Sequence, residues 1–275
     1  MMKRLLTLSK EELTFSRLAA EYLKKESIQN PLQKVLVNGS PKTGTTWMLK
    51  LISSIPGYRE VGNFDGEIQR YNSVQPGEVV HGHDWFTEEL ADVLARNQIK
   101  VILLVRDPRD QLISRVFHIR RVETHPWHRK LTELSLDEAI MFCIEGRDGL
   151  PGTRTMIELT QSWLNGGFDH VVVRYEHLIN NPREQFQRVL DHLRVNLPDD
   201  LLEAIIARNQ FVRLSGGRKF WKQARKQGQE DPHSHFRKGI IGDWKNYLKP
   251  QHINRFKQVA GDKLIELDYE SNLDW

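Results

Sequence analysis

Val35-Leu-Val-Asn-Gly-Ser-Pro-Lys-Thr-Gly-Thr-Thr-Trp-Met-Leu-Lys50 passes from a short apolar run through a Gly/Pro/Thr-rich turn into helix-compatible sequence. Strand, loop and helix in that order read as a phosphate cradle. The first N–H groups of a helix lack internal partners and lie at the positive end of its dipole, so an anion is stabilised there. Gly39 and Gly44 let the backbone approach closely, and Thr45 and Thr46 add hydroxyl donors. The two glycines match the spacing of G-x-x-x-x-G-K-[ST], but Thr45 stands where a nucleoside triphosphatase has lysine. Lys42 lies inside the loop instead, within reach of an oxygen bridging a bound phosphate and a transferred group. That placement favours a donor other than magnesium–ATP.

Further along, Ile99-Lys-Val-Ile-Leu-Leu-Val-Arg-Asp-Pro-Arg-Asp-Gln-Leu-Ile-Ser114 joins a continuous apolar run, typical of a buried parallel strand, to an Asp-Pro helix start. Asp107 suits the N-cap, Pro108 the first helical position, and Asp110 adds negative charge to the first turn. Strands are expected at 34–38, 79–82, 99–105 and 170–174. Helices are expected at 45–55, 87–97, 108–121, 135–146, 153–166, 182–194, 199–208 and 250–260, after a helical lead-in over 10–30. The alternation predicts an α/β fold: a single domain, residues 1–275, with a central parallel sheet flanked by helices and a P-loop-like strand-loop-helix. Ligands in such sheets bind beyond the carboxyl ends of the strands.

The 275 residues are 39% hydrophobic and 28% charged, enough to bury a substantial core. No apolar run approaches the ~20 residues of a membrane span, and the start has too short an apolar stretch for a secretory signal. A cytoplasmic protein is therefore expected. Cys143 is the only cysteine, which excludes an internal disulfide and argues against a cysteine metal cluster. A net charge of +4 suits phosphorylated ligands, whereas a nucleic-acid partner requires a larger and more concentrated excess.

Pro41-Lys-Thr-Gly-Thr-Thr-Trp47 resembles the 5′-phosphosulfate loop of the cytosolic-type sulfotransferases, whose usual form has serine at the place of Thr43. Arg106 and Ser114 match that family's 3′-phosphate-binding arginine and serine in spacing. Phe236-Arg-Lys-Gly-Ile-Ile-Gly-Asp-Trp-Lys-Asn246 is similar to its R-K-G-x-x-G-D-W-K-N signature at every fixed position. The resemblance implies 3′-phosphoadenosine 5′-phosphosulfate as sulfo donor, with no metal. It implies that Lys42, Thr43, Gly44, Thr45, Thr46 and Trp47 hold the 5′ side. Arg106, Ser114, Arg237, Lys238 and Gly239 then take the 3′-phosphate, while Asp243, Trp244 and Asn246 hold their segment. Trp47 and Phe211 are implied to stack on adenine and Tyr175 to approach the cofactor. Ser114 is implied to hold Lys42 back until the acceptor arrives.

Val79-Val-His-Gly-His83 puts two histidines on one face at the end of a strand. His83 matches the family's catalytic histidine, an imidazole able to take a hydroxyl proton near neutral pH. His81 stands where the family usually has lysine, and Asn209 where it has a threonine before the stacking Phe211. Residues 215–238, carrying Arg218, Lys219, Lys222, Arg225 and Lys226 without a clean period, are expected to form a mobile basic lid. An acceptor pocket is expected from Phe64 to Tyr71, Asp84 to Phe86, Phe117 to Trp127 and residues 215–235. Arg120, Arg121, Glu123, His125 and His128 hint at a polar acceptor. The acceptor is expected to be a small-molecule or glycan hydroxyl. The family's K-x-x-x-T-V-x-x-x-E dimerisation segment is not matched, which leaves the oligomeric state open. A nucleotide-dependent phosphotransferase and a non-catalytic nucleotide-binding module are the alternative readings.

Overall fold

The computed structural model describes residues 10–26, 31–216, 225–231 and 234–275. Its first elements are α1 (Lys10–Glu26), β1 (Lys34–Asn38), α2 (Thr45–Ser53), β2 (Arg59–Asn63), β3 (Glu78–Gly82), α3 (Glu88–Arg96), β4 (Ile99–Val105) and α4 (Pro108–Arg121). Then come α5 (His128–Glu133), α6 (Leu136–Glu145), α7 (Thr153–Asn165), β5 (His170–Arg174), α8 (Tyr175–Asn180), α9 (Pro182–Leu193), α10 (Asp199–Arg208), α11 (Phe211–Ser215) and α12 (Pro250–Glu266). The strands form one parallel sheet in the order β2-β3-β1-β4-β5. The chain winds to one side of β1 through β2 and β3, then crosses to β4 and β5. The reversal of winding around β1 opens a crevice beyond its carboxyl end, the place where ligands of doubly wound sheets sit.

Strand residues alternate between two cores because side chains on a strand point to opposite faces. Val35, Val37, Ile102 and Leu104 pack with Met48 and Leu51 of α2 and with Phe186 of α9. Leu36, Val101, Leu103 and Val105 face the other way, toward Leu90 and Leu94 of α3 and Trp163 of α7. A third core joins α4, α6 and α12 through Ile113, Val116, Ile140, Cys143 and Phe256. Asp107 caps α4 by accepting from the Arg109 amide, with Pro108 following, as the sequence predicts.

Strand β2 escaped the sequence reading because Arg59-Glu-Val-Gly-Asn63 is a short, largely exposed edge strand with a register shift between Glu60 and Gly62. Helix α12 is kinked at Ala260, φ −151°, where the expected helix ends, and a second helical segment carries the chain on to Glu266 with Leu264 and Leu267 buried. Residues 217–224 and 232–233 of the expected lid lie outside the described residues, as do 27–30 of the lead-in. No helix among the described residues is long and apolar enough to cross a membrane.

Candidate active site

The loop from Gly39 to Gly44 leaves β1 and enters α2 at the crevice. A Cβ on Gly39, at φ +155°, would stand 2.6 Å from the Leu104 carbonyl oxygen, so the loop presses on β4. Thr43 is buried, and its hydroxyl donates to the Ser40 carbonyl at 2.8 Å. That side chain braces the loop and does not reach the cavity, unlike its neighbours. Gln111 of α4 adds a second brace, donating to Ser40 Oγ and the Pro41 carbonyl, both at 2.7 Å. Gly44 is the N-cap of α2 and offers no side-chain acceptor; the Trp47 amide donates to the Gly44 carbonyl at 2.9 Å, which leaves the Thr45 and Thr46 amides of the first turn to an anion.

Lys42, Thr45, Thr46, Trp47, His81 and His83 line a cavity of 530 Å³ at this end of the sheet. Nδ1 of His83 lies 2.5 Å from the Gly39 carbonyl oxygen. A carbonyl only accepts, so Nδ1 carries the hydrogen and, in the neutral ring, Nε2 keeps its lone pair. Burial pushes the pKa of His83 below the ordinary histidine value, while Asp65 opposes that shift. His81, 4.5 Å away between ring centroids, meets Thr45 Oγ1 through Nε2 at 2.9 Å and is pushed to about 4 by burial and then by His83. Both rings are therefore neutral at pH 7, and His83 has the free acceptor nitrogen of a general base.

On the other side of the loop, Arg106 at the end of β4 donates to the Lys42 carbonyl at 3.2 Å and stacks 4.2 Å above the Tyr175 ring. Tyr175 opens α8 directly after β5 and meets Trp47 edge-on. Phe211 of α11 packs against Gly239, where a Cβ would come within 2.3 Å of the ring. Ser114, Arg237 and Lys238 line the same cavity. Asp243, 2% exposed, accepts from Arg237, Lys238 and Asn246, which anchors the basic segment. Of the residues expected to hold the donor or to act in catalysis, only Thr43 is absent from the cavity wall. Ser114 and Lys42 also line a smaller adjoining cavity, but no hydrogen bond joins them among the described residues.

The wall is electropositive. Burial, and then Arg121 and Arg106, lowers Lys42 to about 8. Burial followed by Lys42 and Arg121 pushes His118 to about 3 and His235 to about 4. Buried polar atoms without partners remain on Trp47 Nε1 and Arg106 Nε. An anionic, hydrogen-bonding ligand compensates each of these features.

Several site features lay beyond sequence reasoning. Asp84 follows His83 and is held by four groups: Asn38 exchanges two hydrogen bonds with its backbone, Tyr71 and the Gly66 amide donate to its carboxylate, and Trp163 Nε1 donates to its carbonyl. Asp65 accepts from the His83 amide at 2.5 Å. Phe64 and Tyr71, expected at the acceptor pocket, are buried in the core instead, and Phe86 packs on Trp163. Asn63, Leu150, Pro151 and Met156 line the cavity in their place. Asp110 accepts from the Gly242 and Trp244 amides, so α4 holds the C-terminal signature. No local pattern announces such contacts between distant segments.

The sulfotransferase domain family matches residues 32–268 of this chain. The chain is 20% identical over 272 residues to sulfotransferase 1 family member D1 of Mus musculus, covering 89% of this chain and 88% of the relative. It is 22% identical over 254 residues to sulfotransferase 1A1 of Rattus norvegicus, covering 86% of each. Among solved structures, mouse sulfotransferase SULT7A1 complexed with PAP superposes with a TM-score of 0.67 at 17% identity, covering 94% of this chain and 93% of that one. Retinol dehydratase in complex with androsterone and inactive cofactor PAP gives 0.57 at 18%, with 90% and 85% covered. These likenesses show a shared fold.

Proposed function

The chain belongs to the sulfotransferase family, and from that premise we propose that His83 and Lys42 transfer the sulfo group of 3′-phosphoadenosine 5′-phosphosulfate to a hydroxyl. The donor supplies an activated sulfo group, and the protein supplies everything else. The observation that carries this reading is the convergence of His83, with Nε2 free, and the half-buried cation Lys42 on one cavity beyond β1 and β3.

The residues fit the donor. Orphaned Trp47 Nε1 and Arg106 Nε, the glycine cradle of Gly44 and Gly239, and cations at Arg106, Arg237 and Lys238 match a nucleotide with phosphates at both ends. Thr45, Thr46 and the start of α2 hold the 5′ side, and Ser114, Arg106, Arg237, Lys238 and Gly239 hold the 3′-phosphate. Trp47, Tyr175 and Phe211 form the aromatic wall for the base. His83 Nε2 accepts the acceptor hydroxyl's proton as the oxygen attacks. Lys42 keeps positive charge beside the oxygen that departs.

The acceptor is a small-molecule or glycan hydroxyl. The reading treats the whole chain as one sulfotransferase-like domain. It places the enzyme in the cytoplasm, in keeping with a single buried thiol at Cys143. A thermal-shift titration tests the donor assignment, because a ligand that binds only the folded state raises stability with saturation. Adenosine 3′,5′-bisphosphate should raise the melting temperature well beyond adenosine 5′-phosphate or magnesium–ATP. Equal or greater stabilisation by magnesium–ATP rejects the sulfo-donor reading in favour of a phosphotransferase.

A further inference from the structure

Among the described residues, Arg115 is the one cation of the cavity wall that the donor reading leaves unused. It is 6% exposed and lines the cavity from α4, four residues before Ile119 and so on the same helical stripe. One terminal nitrogen donates to the Cys143 carbonyl at 2.9 Å. Its Nε is buried with no partner, and no carboxylate acts on the guanidinium among the described residues. Asp243, a carboxylate on the cavity wall, is already held by Arg237 and Lys238. Lys42, Arg106, Arg237 and Lys238 are matched by the donor's phosphates under the reading above, whereas Arg115 has no counter-charge.

A guanidinium withdrawn from water without an anion is strongly unfavourable, and arginine is the side chain best shaped to grip a carboxylate or phosphate through two parallel hydrogen bonds. The same cavity is lined by apolar Trp127, Leu150, Pro151 and Met156, and His125, whose ring packs 5.6 Å from that of Trp127, is pushed toward its neutral form by burial and by Arg115. Such a setting excludes water and strengthens a charge pair. We infer that Arg115 is the anion-binding residue of the acceptor pocket, so that the acceptor is a hydroxyl compound bearing a carboxylate or a phosphate group. The inference rests on the donor reading. A role for Arg115 confined to tying α4 to α6 through the Cys143 carbonyl is the competing explanation.

The test uses the full chain saturated with adenosine 3′,5′-bisphosphate and matched pairs of probes: 4-hydroxybenzoate against 4-hydroxybenzyl alcohol, and 4-hydroxyphenyl phosphate against 4-methoxyphenol. Calorimetric titration and thermal shift should show the anionic member of at least one pair binding roughly tenfold or more tightly than its neutral partner, and the better pair identifies the anion. R115M should abolish that preference while keeping its own stabilisation by the bisphosphate. If R115M does not fold, R115K keeps the charge without the planar fork and should retain only part of the preference. Equal binding within both pairs, or a preference that survives R115M or is undiminished in R115K, overturns the inference alone. Failure of the bisphosphate to stabilise the wild-type chain overturns the donor reading and this inference with it.

Discussion

Nδ1 of His83 lies 2.5 Å from the carbonyl oxygen of Gly39, so the imidazole after β3 is oriented by the first residue of the phosphate loop after β1. One hydrogen bond thus couples the position of the proposed base to that of the Gly39–Gly44 loop. Replacing His83 with asparagine should lower kcat by about 10²–10⁴, the usual range for losing a general base. Affinity for adenosine 3′,5′-bisphosphate, measured calorimetrically, should stay near wild type. H81N should cost far less turnover, because Nε2 of His81 is spent on Thr45. Comparable losses in the two variants would move the base assignment away from His83.

The pH profile follows from burial. In the proposed mechanism Lys42 keeps its proton to stabilise the departing charge, and burial with neighbouring Arg121 and Arg106 lowers it to about 8. Its contribution is therefore present below that value and lost as pH rises through it. The same mechanism needs His83 neutral, and burial sets its pKa below the ordinary histidine value, which favours the neutral ring at pH 7. The kcat/KM for the donor should accordingly fall above about pH 8, while the acid limb lies below 6.5. The kcat limb should lie higher, since bound phosphate favours the ammonium form. K42M should lose about 10²–10³ in kcat together with the alkaline limb. An alkaline limb that persists in K42M belongs to some other group.

Much of this architecture is legible in the sequence because its signals are local. The apolar runs of β1 and β4, the Asp107-Pro108 cap and the Gly39–Gly44 loop each depend on neighbouring residues, and each folds as their chemistry dictates. Edge strand β2 was not legible, since a polar pentapeptide becomes a strand only by pairing with β3. The inward turn of Thr43 and the unmatched charge of Arg115 depend on what lies across the crevice. The clamp on Asp84 gathers Asn38, Gly66, Tyr71 and Trp163 from four separate segments, and no spacing rule encodes it.

If His83 is the base, that clamp should position it. Asp84 adjoins His83 and is 7% exposed, with Tyr71 donating to one carboxylate oxygen at 2.6 Å and the Gly66 amide to the other at 2.7 Å. In D84N the amide can satisfy only one of these donors, leaving the second buried without an acceptor. The cost should be about 1–3 kcal/mol. At roughly 2–4 °C per kcal/mol for a chain of this size, calorimetry should resolve it. Turnover should fall more than donor affinity, because the misplaced group is His83 and the phosphate loop is braced independently through Gln111. Loss of bisphosphate affinity as large as the loss of kcat would show that Asp84 supports the whole crevice instead.

Gly44 separates two physical demands that usually act together. Its φ of +105° is strained for any residue with a Cβ, and a Cβ there would lie 2.8 Å from Cδ2 of Tyr175. G44A should therefore lose roughly 1–2 kcal/mol to backbone strain alone, and more to the displaced ring. Tyr175 also carries Arg106 on its face, so the displacement should weaken the proposed 3′-phosphate contact of Arg106 along with the loop. Substituting Y175L relieves the contact but leaves the dihedral strain. In the double variant the melting temperature should recover partly, whereas affinity for the bisphosphate should not, because the aromatic wall beneath Arg106 is gone. Full recovery of stability would assign the whole cost to the clash. No recovery would assign it to φ, and with it the requirement for glycine at the N-cap of α2.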